Sequence, residues 1–260
     1  MTYPRIRLAH CPGTPADNVL LGQRGRSKLP PESWPSLLMS YHYLREGMDF
    51  LPDLACTEWV LDSGAFSALN SGATIDPDTY IQFCKDVLSG PRPPVEIFAL
   101  DVIGDHDATL ANTEAAWEAG IECIPTYHPG EPESYLRHIA ETYPKIAIGG
   151  VAMMKPTSRK LAFAKAVFAR VWPKPIHGLG FGTEQTIMAL PWHTVDASNW
   201  QAAPSRFGNW RSYSSHGSRR VSLRGSTHDL TPEVDWHLRM ERRAQQKWAS
   251  RMLELEALTT

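Results

Sequence analysis

Short apolar runs alternate along the chain with longer stretches in which apolar positions recur every three or four residues. This alternation is typical of parallel strands joined by helical crossovers. The strand candidates are residues 5–11, 36–42, 58–62, 95–101, 121–127, 145–151, 174–180 and 193–196. Eight such strands predict an α/β fold, a (β/α)8 TIM-type barrel, with an open doubly wound sheet as the alternative.

Helices are predicted wherever capping residues bracket a periodic stretch. Asp76 is a helix N-cap followed by a proline in the first turn, and Asp105 is interpreted as the cap of the next helix. The early part is irregular, because residues 12–35 are rich in Pro, Gly and Arg and indicate a long loop. The predicted helices are 76–89, 108–119, 133–142, 158–171 and 183–190.

The alternation stops after Trp200, which places a domain boundary there. Residues 1–200 are predicted to form the barrel, and 201–260 a basic loop region followed by a C-terminal helix packed on the barrel. Residues 201–230 are interpreted as loop. Thr231 and Pro232 cap the final helix, whose apolar stripe we expect to face the barrel: Val234, Leu238, Trp248, Met252 and Leu255.

The charge is unevenly distributed, although the formal net charge of the 260 residues is only −2. The segment after residue 200 carries a basic excess that is nearly all arginine, which suits bidentate phosphate contacts. Trp210 and Tyr213 interleave with it, as expected of a surface that grips a nucleic-acid backbone. A solvated surface is the alternative. The predicted nucleic-acid-binding residues are Arg206, Arg211, Arg219, Arg220 and Arg224.

The four cysteines are scattered without Cys-x-x-Cys spacing, so we expect reduced thiols and a cytoplasmic protein. No apolar run reaches the length of about 18 residues that a membrane helix needs. No membrane partner is therefore predicted, and the oligomeric state is left open.

Three of the strand candidates end on or next to an aspartate: Asp62, Asp101 and Asp196. In a barrel the carboxyl ends of the strands meet at one face, so these carboxylates should share a pocket. Asp62-Ser63-Gly64 alone is also an ordinary turn. A metal ion held with His128 or His177 is the rival explanation, but no tight ligand motif is present, so no metal and no cofactor is predicted.

A glycine-rich loop follows the seventh strand candidate, in the sequence HGLGFG at 177–182. The Gly-x-Gly-x-Gly spacing does not fit a dinucleotide fingerprint. Late loops of barrels often bind phosphate, while close backbone packing is the plain alternative. Together with the other strand ends, this region predicts substrate-binding residues at Ser63, Tyr127, His177 and Gly178.

Five pieces in this order resemble the tRNA-guanine transglycosylase family. They are LDSGAF at 61–66, ALD at 99–101, IGGVA at 148–152, HGLGFG at 177–182 and VD at 195–196. The resemblance covers about residues 36–200. It implies a (β/α)8 barrel that exchanges guanine for a 7-deazaguanine through a covalent glycosyl-enzyme intermediate.

The resemblance also implies a role for each matching residue. Asp196 matches the nucleophile, Asp62 the proton-transferring carboxylate and Asp101 the acid that hydrogen-bonds the purine. Gly149 and Gly150 match backbone groups that face the base. The chemistry of carboxylates is consistent with these roles. One carboxylate can stabilise the positive charge that develops at C1′ of the sugar, and another can accept the paired N–H groups of guanine. A stacking ring is expected from Tyr127, Phe66 or Tyr41.

Two departures from the family bear on the substrate. The tRNA enzymes carry a cysteine-rich zinc site after the nucleophile strand, whereas this chain has no cysteine after Cys123. The chain is also short. Both features resemble the branch found in phages and bacterial gene clusters, which modifies DNA. If the chain is phage-encoded, the expected location is the host cytoplasm. The expected partners are therefore DNA, with a base flipped out or single-stranded, and a free 7-deazaguanine such as preQ0. The alternatives are tRNA as the substrate, hydrolysis in place of exchange, a metal-dependent barrel hydrolase and a binding protein without activity.

Overall fold

A computed structural model describes residues 4–23, 27–152, 154–201, 209–214, 217–222 and 229–259. Nine strands form one sheet: β1 (Arg5–His10), β2 (Ser36–Ser40), β3 (Glu58–Asp62), β4 (Glu96–Phe98), β5 (Cys123–Ile124), β6 (Thr126–Tyr127), β7 (Ile146–Ile148), β8 (Ile176–Gly178) and β9 (Thr194–Ala197). Their order is β5-β4-β3-β2-β1-β9-β8-β7-β6.

The two ends of this order are consecutive pieces of a single predicted strand. Only Pro125 separates β5, which pairs in parallel with β4, from β6, which pairs in parallel with β7. The Pro125 carbonyl accepts the N–H of Ala147 at 2.8 Å, so the break keeps one bond of the ladder. The fold is thus an α/β barrel of the TIM type, as predicted, with eight strand segments of which one is divided.

Helices follow most of the strands, close to their predicted positions. Asp76 accepts the backbone N–H of Thr79, and Asp105 accepts that of Ala108, so both predicted caps are confirmed. The helices are α1 (Asp17–Leu20), α2 (Tyr41–Leu44), α3 (Ala65–Ser71), α4 (Pro77–Ser89), α5 (His106–Glu118), α6 (Glu133–Thr142), α7 (Thr157–Val171), α8 (Glu184–Ile187) and α9 (Thr231–Thr259).

The contacts within the chain define two compact units. Unit 1 comprises Met1–Leu37, Asp53–Thr57 and Phe181–Thr260, and unit 2 comprises Leu38–Pro52 and Glu58–Gly180. In unit 1, α9 packs on β1, since Glu241 accepts the backbone N–H of Ile6 at 2.6 Å. In unit 2, the helices bury one apolar face each, as Tyr80, Cys84 and Val87 do on α4.

Several details differ from the sequence-based expectations. The predicted loop at 12–35 contains α1 and a short 3₁₀ helix, and the second strand ends at Ser40 because α2 begins at Tyr41. Helix α3 was not predicted, because seven residues carry too little periodicity. The predicted loop at 201–230 contains an antiparallel hairpin, β10 (Asn209–Ser214) and β11 (Gly217–Ser222), whose alternation is obscured by its many polar residues.

None of the helices in the described part of the chain combines the length and the apolarity needed to span a membrane. The four cysteines are present as thiols and not as disulfides. Burial raises the pKa of Cys84 and of Cys123 to about 12, so both thiols stay protonated at neutral pH. Neither is therefore suited to act as a thiolate nucleophile.

Candidate active site at the strand ends

The turn from β3 into α3 is held by its own polar groups. Asp62 Oδ2 accepts the backbone N–H of Gly64 at 3.0 Å, and Gly64 adopts a left-handed φ of 76°. A Cβ on Gly64 would collide with Ser40 Oγ and would lie 2.8 Å from Cβ of His42. The turn interpretation of Asp62-Ser63-Gly64 is therefore right for the backbone, and the glycine brings this turn against the end of β2.

Asp101 receives hydrogen bonds from two other strand ends. Ser63 Oγ donates to Asp101 Oδ1 at 3.0 Å, and Nε2 of His128 lies 3.2 Å from Asp101 Oδ2. Ser63 is buried, whereas the Asp101 side chain keeps 14% of its surface exposed. The structure thus brings together two predicted site residues, Ser63 and Asp101, and leaves an accessible face on the carboxylate.

Glu131 binds the opposite side of His128. Its Oε1 lies 2.9 Å from Nδ1 of the ring, and its Oε2 accepts the His128 backbone N–H at 2.7 Å. Burial by itself lowers the pKa of His128, but the hydrogen bonds to Asp101 and Glu131 outweigh it and raise that pKa to about 9. His128 is therefore an imidazolium at neutral pH, and both ring nitrogens donate.

Gly149 and Gly150 pack against this histidine. A Cβ on Gly150, whose φ is 68°, would lie 2.9 Å from Cδ2 of His128, and one on Gly149 would lie 3.6 Å from Nε2. The absence of side chains lets the backbone after β7 approach the ring. The two predicted glycines thus belong to the same cluster as Asp101, within unit 2.

Three further predicted substrate residues have packing roles in the structure. The Tyr127 ring stacks on Phe163 at 5.9 Å between centroids, and its hydroxyl donates to the Glu131 carbonyl at 2.9 Å. His177 is fully buried with its ring edge-on to Phe98, and Gly178 lies in β8 opposite Ile148. Because its ring is covered in this way, Tyr127 is poorly placed to stack on a base.

A cleft of about 430 Å³ has Asp101 in its wall. This volume lies within the range of about 300–1,000 Å³ that is typical of small-molecule sites. Most of the lining is apolar and comes from α3, from residues 73–77 and from the segment after β4, including Leu69, Val102 and Ile103. Phe66, in the first turn of α3, is 46% exposed, whereas Tyr41 is buried against Tyr80 and Phe83.

Asp196 lies in unit 1, inside β9, and is 8% exposed. Its register partner on β1 is Arg7. A Cβ on Gly182 would lie 2.5 Å from the Asp196 carbonyl oxygen and would overlap Ala197. The last glycine of the HGLGFG loop is therefore required by close backbone packing against β9, which was the plain alternative for that position.

The predicted nucleic-acid-binding arginines fall on the hairpin and beside it. Arg211 on β10 is the register partner of Arg220 on β11, and Arg219 is that of Ser212. Adjacent positions on a strand alternate between its faces, so Arg219 and Arg220 occupy opposite faces of the ribbon. Arg206 and Arg224 lie outside the described residues.

Sequence reasoning underestimated His128 and missed Glu131. His128 was considered only as a metal ligand, and Glu131 carried no assignment. The available signal was the His-x-x-Glu spacing directly after a strand, which allows the Glu131 carboxylate to reach the His128 ring. Among the residues that the structure describes, no group of three or more His, Cys, Asp or Glu is placed to hold a metal ion.

Comparisons with known proteins support the fold. No protein-family model matches the chain, and no curated protein sequence matches it. The structure is similar to that of a mutant tryptophan synthase α-subunit from the hyperthermophile Pyrococcus furiosus, at 13% identity and a TM-score of 0.51, over 91% of this chain and 97% of that one.

Two weaker likenesses are also to barrel enzymes. The tryptophan synthase α-subunit of Campylobacter jejuni is 10% identical, with a TM-score of 0.46, over 76% of this chain and 87% of that one. The carboxyl transferase domain of Rhizobium etli pyruvate carboxylase is 17% identical, with a TM-score of 0.45. That match covers 94% of this chain but only 48% of the other. Only the likeness to the Pyrococcus furiosus subunit bears on the fold, and at 13% identity it shows the fold alone.

Proposed function

We propose that this protein is a base-exchange transglycosylase that replaces guanine in DNA with a 7-deazaguanine such as preQ0. The observation that carries the proposal is the Asp101 carboxylate, which is oriented by Ser63 and His128 yet partly accessible in the wall of a cleft. Guanine presents N1–H and a 2-amino group side by side, and an oriented carboxylate accepts both. The apolar lining of the cleft suits the faces of a planar base.

The proposed reaction proceeds in two displacements. The Asp196 carboxylate attacks C1′ of the nucleotide, the C1′–N9 bond breaks, and guanine leaves with a proton from Asp62. N9 of the incoming 7-deazaguanine then attacks C1′, the ester to Asp196 breaks, and Asp62 takes the N9 proton. The assignments of Asp196 and Asp62 rest on the family resemblance. We assign base stacking to Phe66, since its ring is exposed at the start of α3.

DNA as the partner is supported by the arginine-rich hairpin. Arg211 and Arg220 are direct register partners across β10 and β11, so two basic residues stand at facing positions of the ribbon. A polyanion lying along the ribbon would neutralise them, and phosphate contacts of this kind make binding salt-dependent. The missing cysteine-rich zinc motif favours DNA over tRNA by resemblance.

The test is incorporation of labelled 7-cyano-7-deazaguanine into guanine-containing DNA and, separately, into tRNA. We expect label in DNA for the unaltered protein and none for Asp196→Asn, which removes the nucleophile while keeping the shape of the side chain. Asp107→Asn is the matched control, because Asp107 is 90% exposed at the start of α5 and should be dispensable.

Each result decides a different part of the proposal. Label in tRNA but not in DNA would overturn the choice of polymer. Exchange that survives Asp196→Asn would overturn the nucleophile assignment. Release of free guanine without incorporation of label would indicate a hydrolase, and no reaction with either polymer would reject the class.

A further inference from the structure

His128 and Glu131 have no part in the proposed reaction, yet they form a buried charged cluster with Asp101. The imidazolium lies between two carboxylates, and His128 is only 6% exposed. Removing three charges from water is costly, and a buried ion pair often adds little net stability. The cluster therefore needs an explanation other than stability.

The contacts of the ring fix its orientation. Glu131 binds both the backbone N–H and Nδ1 of His128, so that the carboxylate joins two points of the same residue. On another side, the backbone of Gly149 and Gly150 is packed so closely that a Cβ on Gly150 would crowd the ring. The ring therefore has little freedom to turn away from Asp101, and its Nε2–H has a set direction.

Asp101 is fixed in turn through both of its oxygens. Nε2–H of His128 donates to Oδ2, and Ser63 Oγ donates to Oδ1. These two hydrogen bonds fix the plane of the carboxylate. Each oxygen retains a second lone pair. These lone pairs lie side by side on a carboxylate that is part of the cleft wall.

We propose that His128 and Glu131 are positioning residues that hold the Asp101 carboxylate in the orientation that accepts the N1–H and 2-amino pair of guanine-class bases. This inference rests on the proposed function. A carboxylate held in this plane presents one acceptor lone pair to each N–H group, whereas a rotated carboxylate would meet only one of them. The cluster thereby selects bases that carry a 2-amino group over those that lack it.

The other groups around the ring do not compete for this role. Tyr135 on α6 and Tyr127 on β6 are titratable side chains near the two carboxylates. Burial raises the pKa of both, Glu131 raises it further, and Asp101 adds to the effect at Tyr135, so both hydroxyls stay neutral. Two carboxylates and one imidazolium leave a single negative charge in the cluster. The N–H edge of a guanine-class base is a suitable counterpart for that charge.

The test compares guanine with hypoxanthine, which lacks the 2-amino group, as the incoming base in an exchange assay with guanine-containing DNA. For His128→Ala we expect the KM for guanine to rise about tenfold, the fold-change that corresponds to one charge-assisted hydrogen bond. The preference for guanine over hypoxanthine should fall, with a smaller change in kcat. His128→Gln, which restores a neutral donor, should recover part of the KM.

Glu131→Gln provides a second route to the same conclusion, because it leaves the ring in place but removes its anchoring charge. We expect an intermediate rise in KM. The matched controls are His138→Gln and Glu141→Gln, both on exposed positions of α6, and they should behave as the unaltered protein. Thermal unfolding of every variant identifies loss of folded protein, which a change in base preference does not mimic.

Two failures are distinguishable. If the unaltered protein exchanges guanine, but the variants at 128 and 131 retain its KM and its base preference, this inference is wrong and the proposed function stands. If the unaltered protein incorporates neither guanine nor a 7-deazaguanine into DNA or tRNA, both are overturned. Should His128→Ala not fold, the Gln variants at both positions decide the outcome.

Discussion

Asp62 and Asp101 close two neighbouring parallel strands, β3 and β4, and are held in different ways. Asp62 is the last residue of β3, and its carboxylate accepts the N–H of Gly64, two residues further on. Asp101 lies beyond the end of β4, and its carboxylate accepts from Ser63 and His128, which are 38 and 27 residues away in sequence.

The difference shows that one sequence pattern, an apolar strand ending near an aspartate, serves two physical purposes. At β3 it builds a tight turn with a bond that such turns make in many proteins. At β4 it supplies an acceptor that joins three separate strand ends. The first contact depends on local backbone geometry, whereas the second depends on the barrel being assembled, so the two should respond differently to mutation.

The largest expected effect is on the turn. Gly64→Ala puts a residue with a Cβ at a left-handed φ and drives that Cβ into Ser40 and His42. We expect the free energy of unfolding, measured in urea, to fall by on the order of 3 kcal/mol. Gly72 at the other end of α3 is the control. Its φ is 71°, but nothing lies within 4 Å of a Cβ built there, so Gly72→Ala should cost only about 1 kcal/mol. Equal losses would mean that the close approach to β2 contributes nothing.

The next effect separates the two carboxylates. Asp101→Ala leaves the buried imidazolium of His128 with one carboxylate and the buried Ser63 hydroxyl without this acceptor, so we expect a loss of about 2–3 kcal/mol in the free energy of unfolding. Asp62→Ala removes a bond in a turn that is partly exposed, and about 1 kcal/mol is expected. Chemical denaturation of both variants measures the gap. A larger loss at Asp62 would reverse the comparison.

The barrel itself was predictable because its signals are local. Strand candidates, the caps at Asp76 and Asp105 and the final helix all follow from periodicity and from side chains that bond to nearby backbone. Pro125 is instructive. The sequence shows a single strand there, and the structure divides it because proline has no N–H to donate to a ladder.

The candidate site was predictable only in part, for a reason that its distances make clear. That Ser63 and Asp101 meet follows from the convergence of strand ends, but the pairing of His128 with both Asp101 and Glu131 depends on side-chain directions that no periodicity encodes. Tyr127 illustrates the converse. Its place at a strand end predicted a binding role, while its ring packs on Phe163. A strand-end residue faces the pocket only if the pleat directs it there.

The smallest expected effect is a pH dependence that only the Asp101 side of the comparison should show. The pKa of His128 rises from 6.5 to about 9 on folding. The folded state therefore binds a proton that the unfolded state releases above pH 6.5, and the stabilisation is complete below that pH and lost as the pH rises through 9.

Between pH 7 and 8 the stability of the unaltered protein relative to His128→Gln should fall by about 1 kcal/mol. The groups facing the ring are Asp101 and Glu131, and the phenols nearby are Tyr127 and Tyr135. Burial raises the pKa of both phenols, so neither of them titrates in this window. Urea unfolding at both pH values measures the change, with exposed His138→Gln as the control that should follow the unaltered protein. A difference that stays constant, or that grows with pH, would show that the ring is not held as an imidazolium, and Asp101 would then lose the charged donor that distinguishes it from Asp62.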